Sequence, residues 1–223
     1  SGGLDMTHYF SKATLTPIGA RGRILKLSFD AYDIHREVWN LFPNNPETNR
    51  NFIYSRLDGD RTLYVVSDCE PTCNDSWFVQ TKAYDPIIHE GDVFGFRLCA
   101  NPTISNDSTG KHQRHDVVMN LKKKYREEGL NVSMNDIIVE SVTNWIVRKA
   151  SINGFEVEQQ GLMIHSYSRN EASKSKKSKI VFSTVMIEGA LRVTDAELFK
   201  KALFSGIGAS KSFGCGLLMI RRI

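Results

Sequence analysis

Hydrophobic positions recur along this chain at two spacings, and the points where the spacing changes mark its elements. Tyr9 to Pro17 (YFSKATLTP) mixes aromatic and β-branched residues with polar ones and predicts a first strand, followed by a glycine-rich turn. From Ser28 to Pro43 (SFDAYDIHREVWNLFP) the period becomes helical, with Ile34, Val38 and Leu41 on one face, the face that should be buried. Asp30 suits the N-cap of that helix, Asp33 lies in its first turn, and Pro43 stops it. A turn at Asn44 to Pro46 leads to two short runs of strand character, Phe52 to Leu57 and Thr62 to Ser67, joined through Asp58-Gly59-Asp60 as a hairpin. Trp77 to Tyr84 reads as a further strand after an irregular stretch from Cys69 to Asp75.

The second half repeats the plan. Asp92 to Thr103 reads as a strand, Ser105 to Arg114 as a polar stretch, and Asn135 to Ala150 as a helix with Ile138, Val142, Trp145 and Lys149 along one stripe. Phe155 to Ser168 and Ile180 to Val193 are two long strands joined by a basic segment. Thr194 to Phe204 is a short helix capped by Thr194 with Glu197 at the capping-box position, and Leu217 to Ile220 closes as a strand. The order β-α-β-β-α-β is the split βαβ motif. The pattern therefore predicts an α+β chain of tandem ferredoxin-like (RRM-like) domains, residues 6–91 and 92–223, with a cleft between them.

Composition adds bounds. At 223 residues and 41% hydrophobic the chain is long enough for two such cores. No apolar run approaches the roughly 20 residues that span a bilayer, and no basic segment leads into an apolar one, so neither membrane anchor nor signal peptide is expected. Ser1 to Asp5 precede Met6 and read as a remnant of a cleaved tag. The net charge of +4 is uninformative, but Lys174, Lys176, Lys177 and Lys179 cluster in one polar segment and Lys122 to Lys124 in another, as phosphate-facing patches or as solvated loops. Cys69, Cys73, Cys99 and Cys215 are too scattered for a disulfide framework, and Cys69 and Cys73 with His112 and His115 lack the spacing of a zinc finger. Reduced thiols and a cytoplasmic location are expected.

Two constellations carry candidate chemistry. Tyr32, His35 and Trp39 are spaced i, i+3, i+7 and form a row beside the buried stripe, so a phenol and an imidazole stand at the edge of the core. Such a row serves packing or catalysis. The other is G206-I-G-A-S-K-S-F-G-C-G216, where four glycines in eleven residues let backbone N–H groups approach a phosphate, with Lys211 supplying charge. Ser210 precedes the lysine, and the loop leads from a helix into a strand, the reverse of the P-loop order, which argues against nucleotide hydrolysis. The other reading is a tight turn that closes the last strand.

Three blocks of the chain, YDIHREVWNLFPNNP (Tyr32 to Pro46), FRLCANPT (Phe96 to Thr103) and IEGALRVTDAELFKKALFSGIGASKSFGCGLLMI (Ile187 to Ile220), resemble the repeat-specific endoribonuclease of type I-E CRISPR systems. That family is the subunit that cuts precursor CRISPR RNA within the Cascade complex. The resemblance implies tandem ferredoxin-like domains of the RAMP type that bind a hairpin-forming repeat. It also implies cleavage without metal or other cofactor at the 3′ base of the stem, leaving a 2′,3′-cyclic phosphate and a 5′-hydroxyl. The subunit then stays on the mature crRNA beside the other Cascade subunits. The catalytic histidine of the family falls on His35 and its tyrosine on Tyr32.

The chemistry suits these residue types. A neutral imidazole can take the proton of a 2′-hydroxyl near neutrality, which makes His35 the candidate general base, with its imidazolium form as acid toward the leaving 5′-oxygen the other reading. Tyr32 would orient the ribose or phosphate, and Lys211 with the loop would meet the charge growing on the phosphorane. Gly206, Gly208, Ser210, Ser212 and Gly214 are the loop positions expected near RNA. A basic β-hairpin bearing Arg169, Lys174, Lys176, Lys177 and Lys179 is expected to contact the stem, mainly its phosphates, because A-form RNA hides its base edges. The competing reading is an RNA-binding structural subunit of a CRISPR complex that does not cut.

Overall fold

The computed structural model describes residues 7–24, 30–43, 50–57, 61–106, 113–175 and 178–223. The expected tag remnant, the turns at Asn44 to Pro46 and Asp58 to Asp60, His112, and Lys176 and Lys177 lie outside the described residues.

The first sheet holds β1 (Tyr9–Leu15), β2 (Phe52–Leu57), β3 (Thr62–Ser67) and β4 (Trp77–Ala83) in the order β2-β3-β1-β4, every pair antiparallel. This is the ferredoxin-like order, but no helix links β3 to β4. A turn in which Asn74 Oδ1 accepts from the N–H groups of Ser76 and Trp77 starts β4 instead. The glycine-rich stretch expected as a turn is a helix, α1 (Pro17–Ile24). Pro17 takes the first helical position, where its missing N–H is harmless, and Gly19 is required because a Cβ there would lie 2.6 Å from the carbonyl oxygen of Ser76. Then α2 (Ala31–Trp39) buries Ile34 and Val38 against the sheet with Leu41, as the apolar spacing predicts.

The second sheet runs β11 (Leu218–Arg222), β5 (Val93–Ala100), β10 (Ser178–Val193), β8 (Phe155–Val157), and β9 (Met163–Ser175) also pairs with β10. With α4 (Met134–Ile152) and α5 (Ala196–Ser205) it completes a second ferredoxin-like unit. The two units make the α+β tandem that the sequence pattern predicts.

Four local expectations are corrected. The strand expected from Phe155 to Ser168 is broken by a 3-10 turn at Gln159–Gly161, leaving β8 and β9 separate. Asp195, not Thr194, caps α5: its Oδ1 accepts from Leu198 N at 2.9 Å, whereas the N–H groups of both Thr194 and Asp195 still bond Gly154 O. The stripe of α4 keeps the expected direction, with Val142 and Trp145 buried, but it is wider: Ile137, Ser141, Ile146 and Ala150 are buried as well, while Ile138 and Lys149 are half-buried. The polar stretch after β5 forms a small sheet of β6 (Thr103–Asn106) and β7 (Gln113–Asp116), and Asp116 then caps α3 (Val117–Glu127).

Candidate RNA cleavage site

The site lies where α2 of the first unit meets the glycine-rich turn and the β9–β10 hairpin of the second. Asp30 organises the junction. Its Oδ1 accepts from the N–H groups of Tyr32 and Asp33, and Asp33 Oδ2 accepts in return from Asp30 N at 3.1 Å, closing a capping box. The other oxygen, Oδ2, accepts from Ser173 N of β9 at 2.8 Å. One carboxylate thus starts the helix and ties it to the second unit, and Ala31 packs against Ala172, Phe182 and Cys215 beside that bond.

The helix presents His35 toward the turn. Its ring lies 6.4 Å from that of Tyr32 and 6.3 Å, edge-on, from that of Phe213, centroid to centroid. Phe213 belongs to a 3-10 turn, Lys211–Phe213, and stacks on Phe182 of β10 at 5.0 Å. Trp39 Nε1–H donates to His35 Nε2 at 3.0 Å, and the buried Nδ1 has no hydrogen-bond partner. An indole can only donate, so Nε2 carries the lone pair and Nδ1 the proton of a neutral ring. Burial, and secondarily the charge of Arg50, push the His35 pKa down to about 4.

Arg50 is the functional candidate that the sequence alone missed. One of its terminal nitrogens donates to Ser212 Oγ at 2.6 Å, and Tyr54 OH donates to the carbonyl of the same serine at 2.9 Å. A single arginine in a polar run carries no periodic or motif signal; only the packing of β2 against the turn brings it here. Lys211 has its pKa lowered by burial first, then by the charges of Arg50 and Lys149. His35, Arg50 and Lys211 therefore share one electropositive neighbourhood, with Ser212 between the elements that carry them.

The glycines of the turn have conformational reasons to be glycine. Gly206, Gly208 and Gly214 all have φ between 74° and 83°, and a Cβ at Gly208 would lie 3.0 Å from the ring of Trp145. Ser210 is itself left-handed at φ 56°, and its hydroxyl accepts from Asn101 Nδ2 at 2.6 Å.

The expected stem-binding residues are dispersed. Arg169 and Lys174 lie within β9 and Lys179 within β10, so the basic segment is strand on both sides of its tip. Arg169 lines a cleft of about 540 Å³ together with Arg114, Tyr167 and Ser210. Lys179 is ion-paired with Glu171 at 3.3 Å. Lys122 to Lys124 belong to α3, where Lys123 and Lys124 pair with Glu127 and Glu128 one turn on. Among the described residues no three His, Cys, Asp or Glu side chains are placed to hold a metal ion, and no helix is long and apolar enough to cross a membrane.

The family model described as CRISPR associated protein matches residues 8–222. The "CRISPR system Cascade subunit CasE" of Escherichia coli (strain K12) is 26% identical over 203 residues, 86% of this chain and 92% of that protein. Among solved structures, the CRISPR-associated protein Cas6e from Escherichia coli K-12 superposes with a TM-score of 0.63 at 26% identity, over 96% of this chain and 100% of that one. Thermus thermophilus Cse3, bound to an RNA representing a pre-cleavage complex, shares the fold at 21% identity with a TM-score of 0.69, over 96% of this chain and 99% of that one.

Proposed function

The chain belongs to the CRISPR associated protein family, and we propose that it is the endoribonuclease that cuts precursor CRISPR RNA at the 3′ base of its repeat hairpin and then stays on the mature crRNA as a Cascade subunit. The relatives named CasE and Cse3, a Cascade subunit and an RNA-bound endoribonuclease, support that reading. We also propose domains at 6–91 and 92–223 and a cytoplasmic location.

The observation that carries the reaction is the His35 imidazole at the junction of the two units, its Nε2 facing the indole N–H of Trp39 and Arg50 bearing on it, with Arg50 bonded to Ser212 next to Lys211. Cleavage needs the 2′-oxygen to lose its proton and attack phosphorus while the 5′-oxygen leaves and takes a proton up. His35 Nε2, the nitrogen with the lone pair, is the base; the 2′-hydroxyl takes the donor position that the indole N–H of Trp39 holds in the free protein. The scissile phosphate offsets the charge of Arg50, so RNA binding raises the basicity of His35 from its low value in the free protein. Lys211 and Arg50 meet the charge that grows on the phosphorane, and the backbone of the turn from Gly206 to Gly214, with Ser210 and Ser212, cradles the phosphate. Tyr32 orients the ribose. Arg169, Lys174, Lys176, Lys177 and Lys179 hold stem phosphates.

The test is cleavage in EDTA of a labelled hairpin repeat RNA, with His35→Ala and a 2′-deoxy substitution at the scissile nucleotide as controls. Cutting by the unaltered protein, lost with either change while binding persists, is the expected result. Tight binding without cutting would make the chain a structural RNA-binding subunit, and failure to bind any hairpin would sink the assignment.

A further inference from the structure

Outside the cleavage site, the helical side of the second unit carries a groove of about 750 Å³ between the β6–β7 hairpin and the C-terminal half of α4. Thr103 and Ser105 supply hydroxyls from β6, Arg114 projects from β7 opposite Ser105, and Arg148 and Lys149 come from α4. No acidic residue lines it among the described residues. Arg114 and Arg148 are exposed, and Arg148 Nε donates to Asn144 O at 3.3 Å, which steadies the guanidinium on its helix.

The groove is not isolated from the candidate active site. Gly208 and Ala209 form part of its wall, so it opens on the same turn that carries Lys211. Thr103, Arg114 and Ala209 also line the neighbouring cleft that reaches Arg169 and Ser210. Lys149 is close enough to bear on the charge of Lys211, which in turn feels Arg50. Cations are thus strung from the cleavage site around the turn and into the groove. Within the groove itself Arg114 and Arg148 are exposed and Lys149 is half-buried, and no carboxylate lies among them, Asp116 lining only the neighbouring cleft. Such a set of cations and hydroxyls suits a phosphodiester chain.

We propose that this groove binds the single-stranded RNA that continues 3′ of the scissile phosphate, with its phosphates on Arg114, Arg148 and Lys149. The assignment rests on the cleavage reading above. In that reading the strand carrying the scissile phosphate is stem on its 5′ side, so its 3′ side is the one free to leave along the turn into the groove. The stem itself stays on the β9–β10 face.

The experiment compares binding of two uncleavable 2′-deoxy RNAs, a hairpin ending at its stem and the same hairpin with a 3′ extension of about ten nucleotides, to the unaltered protein and to Arg114→Glu/Arg148→Glu. The extension is expected to tighten binding by the unaltered protein about tenfold, and the double variant to lose that gain while keeping its affinity for the short hairpin. The salt dependence for the long RNA should flatten by about 0.7 per lost phosphate contact. An extension that adds no affinity, or a variant that weakens both RNAs equally with an unchanged melting temperature, overturns the groove assignment. Gain from a 5′ extension instead of a 3′ one overturns the polarity. Failure of the unaltered protein to bind or cut any hairpin would be a failure of the cleavage reading, separately seen. Thermal melts of the variant and of Arg148→Glu alone distinguish lost contacts from misfolding.

Discussion

The indole N–H of Trp39 donates to His35 Nε2 at 3.0 Å, one helical turn away, and this bond fixes which imidazole nitrogen carries the proton. Donation to the lone pair stabilises the neutral ring and so adds to the effect of burial on its pKa. Replacing the indole by a ring without a donor removes that stabilisation. In Trp39→Phe the His35 pKa should rise above about 4, toward the ordinary 6.5, and the ring should populate both tautomers. Nitrogen-15 chemical shifts of the imidazole during a pH titration read both effects. An unchanged titration would show that the bond has no part in setting the proton.

The same neutral ring ties stability to pH. The folded pKa of His35, about 4, lies below its unfolded value of about 6.5, so the unfolded chain binds the proton first as pH falls. Stability is therefore full above the unfolded value and declines as pH drops from about 6.5 to 4. The decline should be on the order of 2 kcal/mol once screening of a partly exposed ring is allowed for. Denaturant midpoints measured across that range should flatten in His35→Gln, and an equal slope in both proteins would assign it to other groups.

Arg50 bears on the charge of the imidazole and bonds the glycine-rich turn through Ser212. Arg50→Gln keeps a donor for Ser212 but removes the charge. Cleavage should slow by about 10²-fold through lost stabilisation of the phosphorane, with a smaller loss in binding of an uncleavable RNA. Equal losses in the two measurements would make Arg50 a binding residue alone.

Asp30 serves two partners at once, the first turn of α2 and Ser173 of β9. Asp30→Ala should cost about 1–2 kcal/mol for the cap, with a further loss for the unpaired N–H of Ser173. For a chain of this size the cap alone corresponds to a fall in Tm of about 2–8 °C, and the unpaired N–H adds to it. Asp30→Asn, which keeps the acceptor, should lose less. Because the bond joins the two units, calorimetry of Asp30→Ala should also show a broader transition than that of the unaltered protein.

Gly216 sits at φ 95°, and a Cβ there would lie 2.8 Å from the carbonyl oxygen of Ile207. That oxygen belongs to backbone and cannot swing away. Gly216→Ala should destabilise by on the order of 1–3 kcal/mol and loosen the turn that carries Lys211 and Ser212. Cleavage is expected to fall more than hairpin affinity, and a variant with unaltered melting and cutting would show that the turn tolerates the side chain.

The sequence by itself determined what depends on neighbours along the chain. The helical spacing of Ile34, Val38 and Leu41 against polar positions specified α2 and its buried face, Asp30 specified where it starts, and the row of Tyr32, His35 and Trp39 was readable from the same period. The order of strands and helices was enough to give two ferredoxin-like units, because few arrangements bury one face of each element. Where several local outcomes were close in energy, the sequence misled. Pro17 to Ile24 holds two glycines yet folds as a helix that rests on Ser76, and the first residue able to cap α5 yields to the next one.

Only the tertiary structure decided which groups surround His35. Arg50 and Ser212 are 162 residues apart and meet because β2 packs against the last glycine-rich turn. Phe213 reaches the imidazole by the same packing, and Asp30 finds Ser173 across the junction. Proton placement on His35 likewise follows from burial and from the bond with Trp39, whose ring, like that of His35, packs against Phe52 of β2. Periodicity carries the faces of elements. Which charged or aromatic side chain fills the space between two faces depends on contacts between distant segments, and those are set when the cores close.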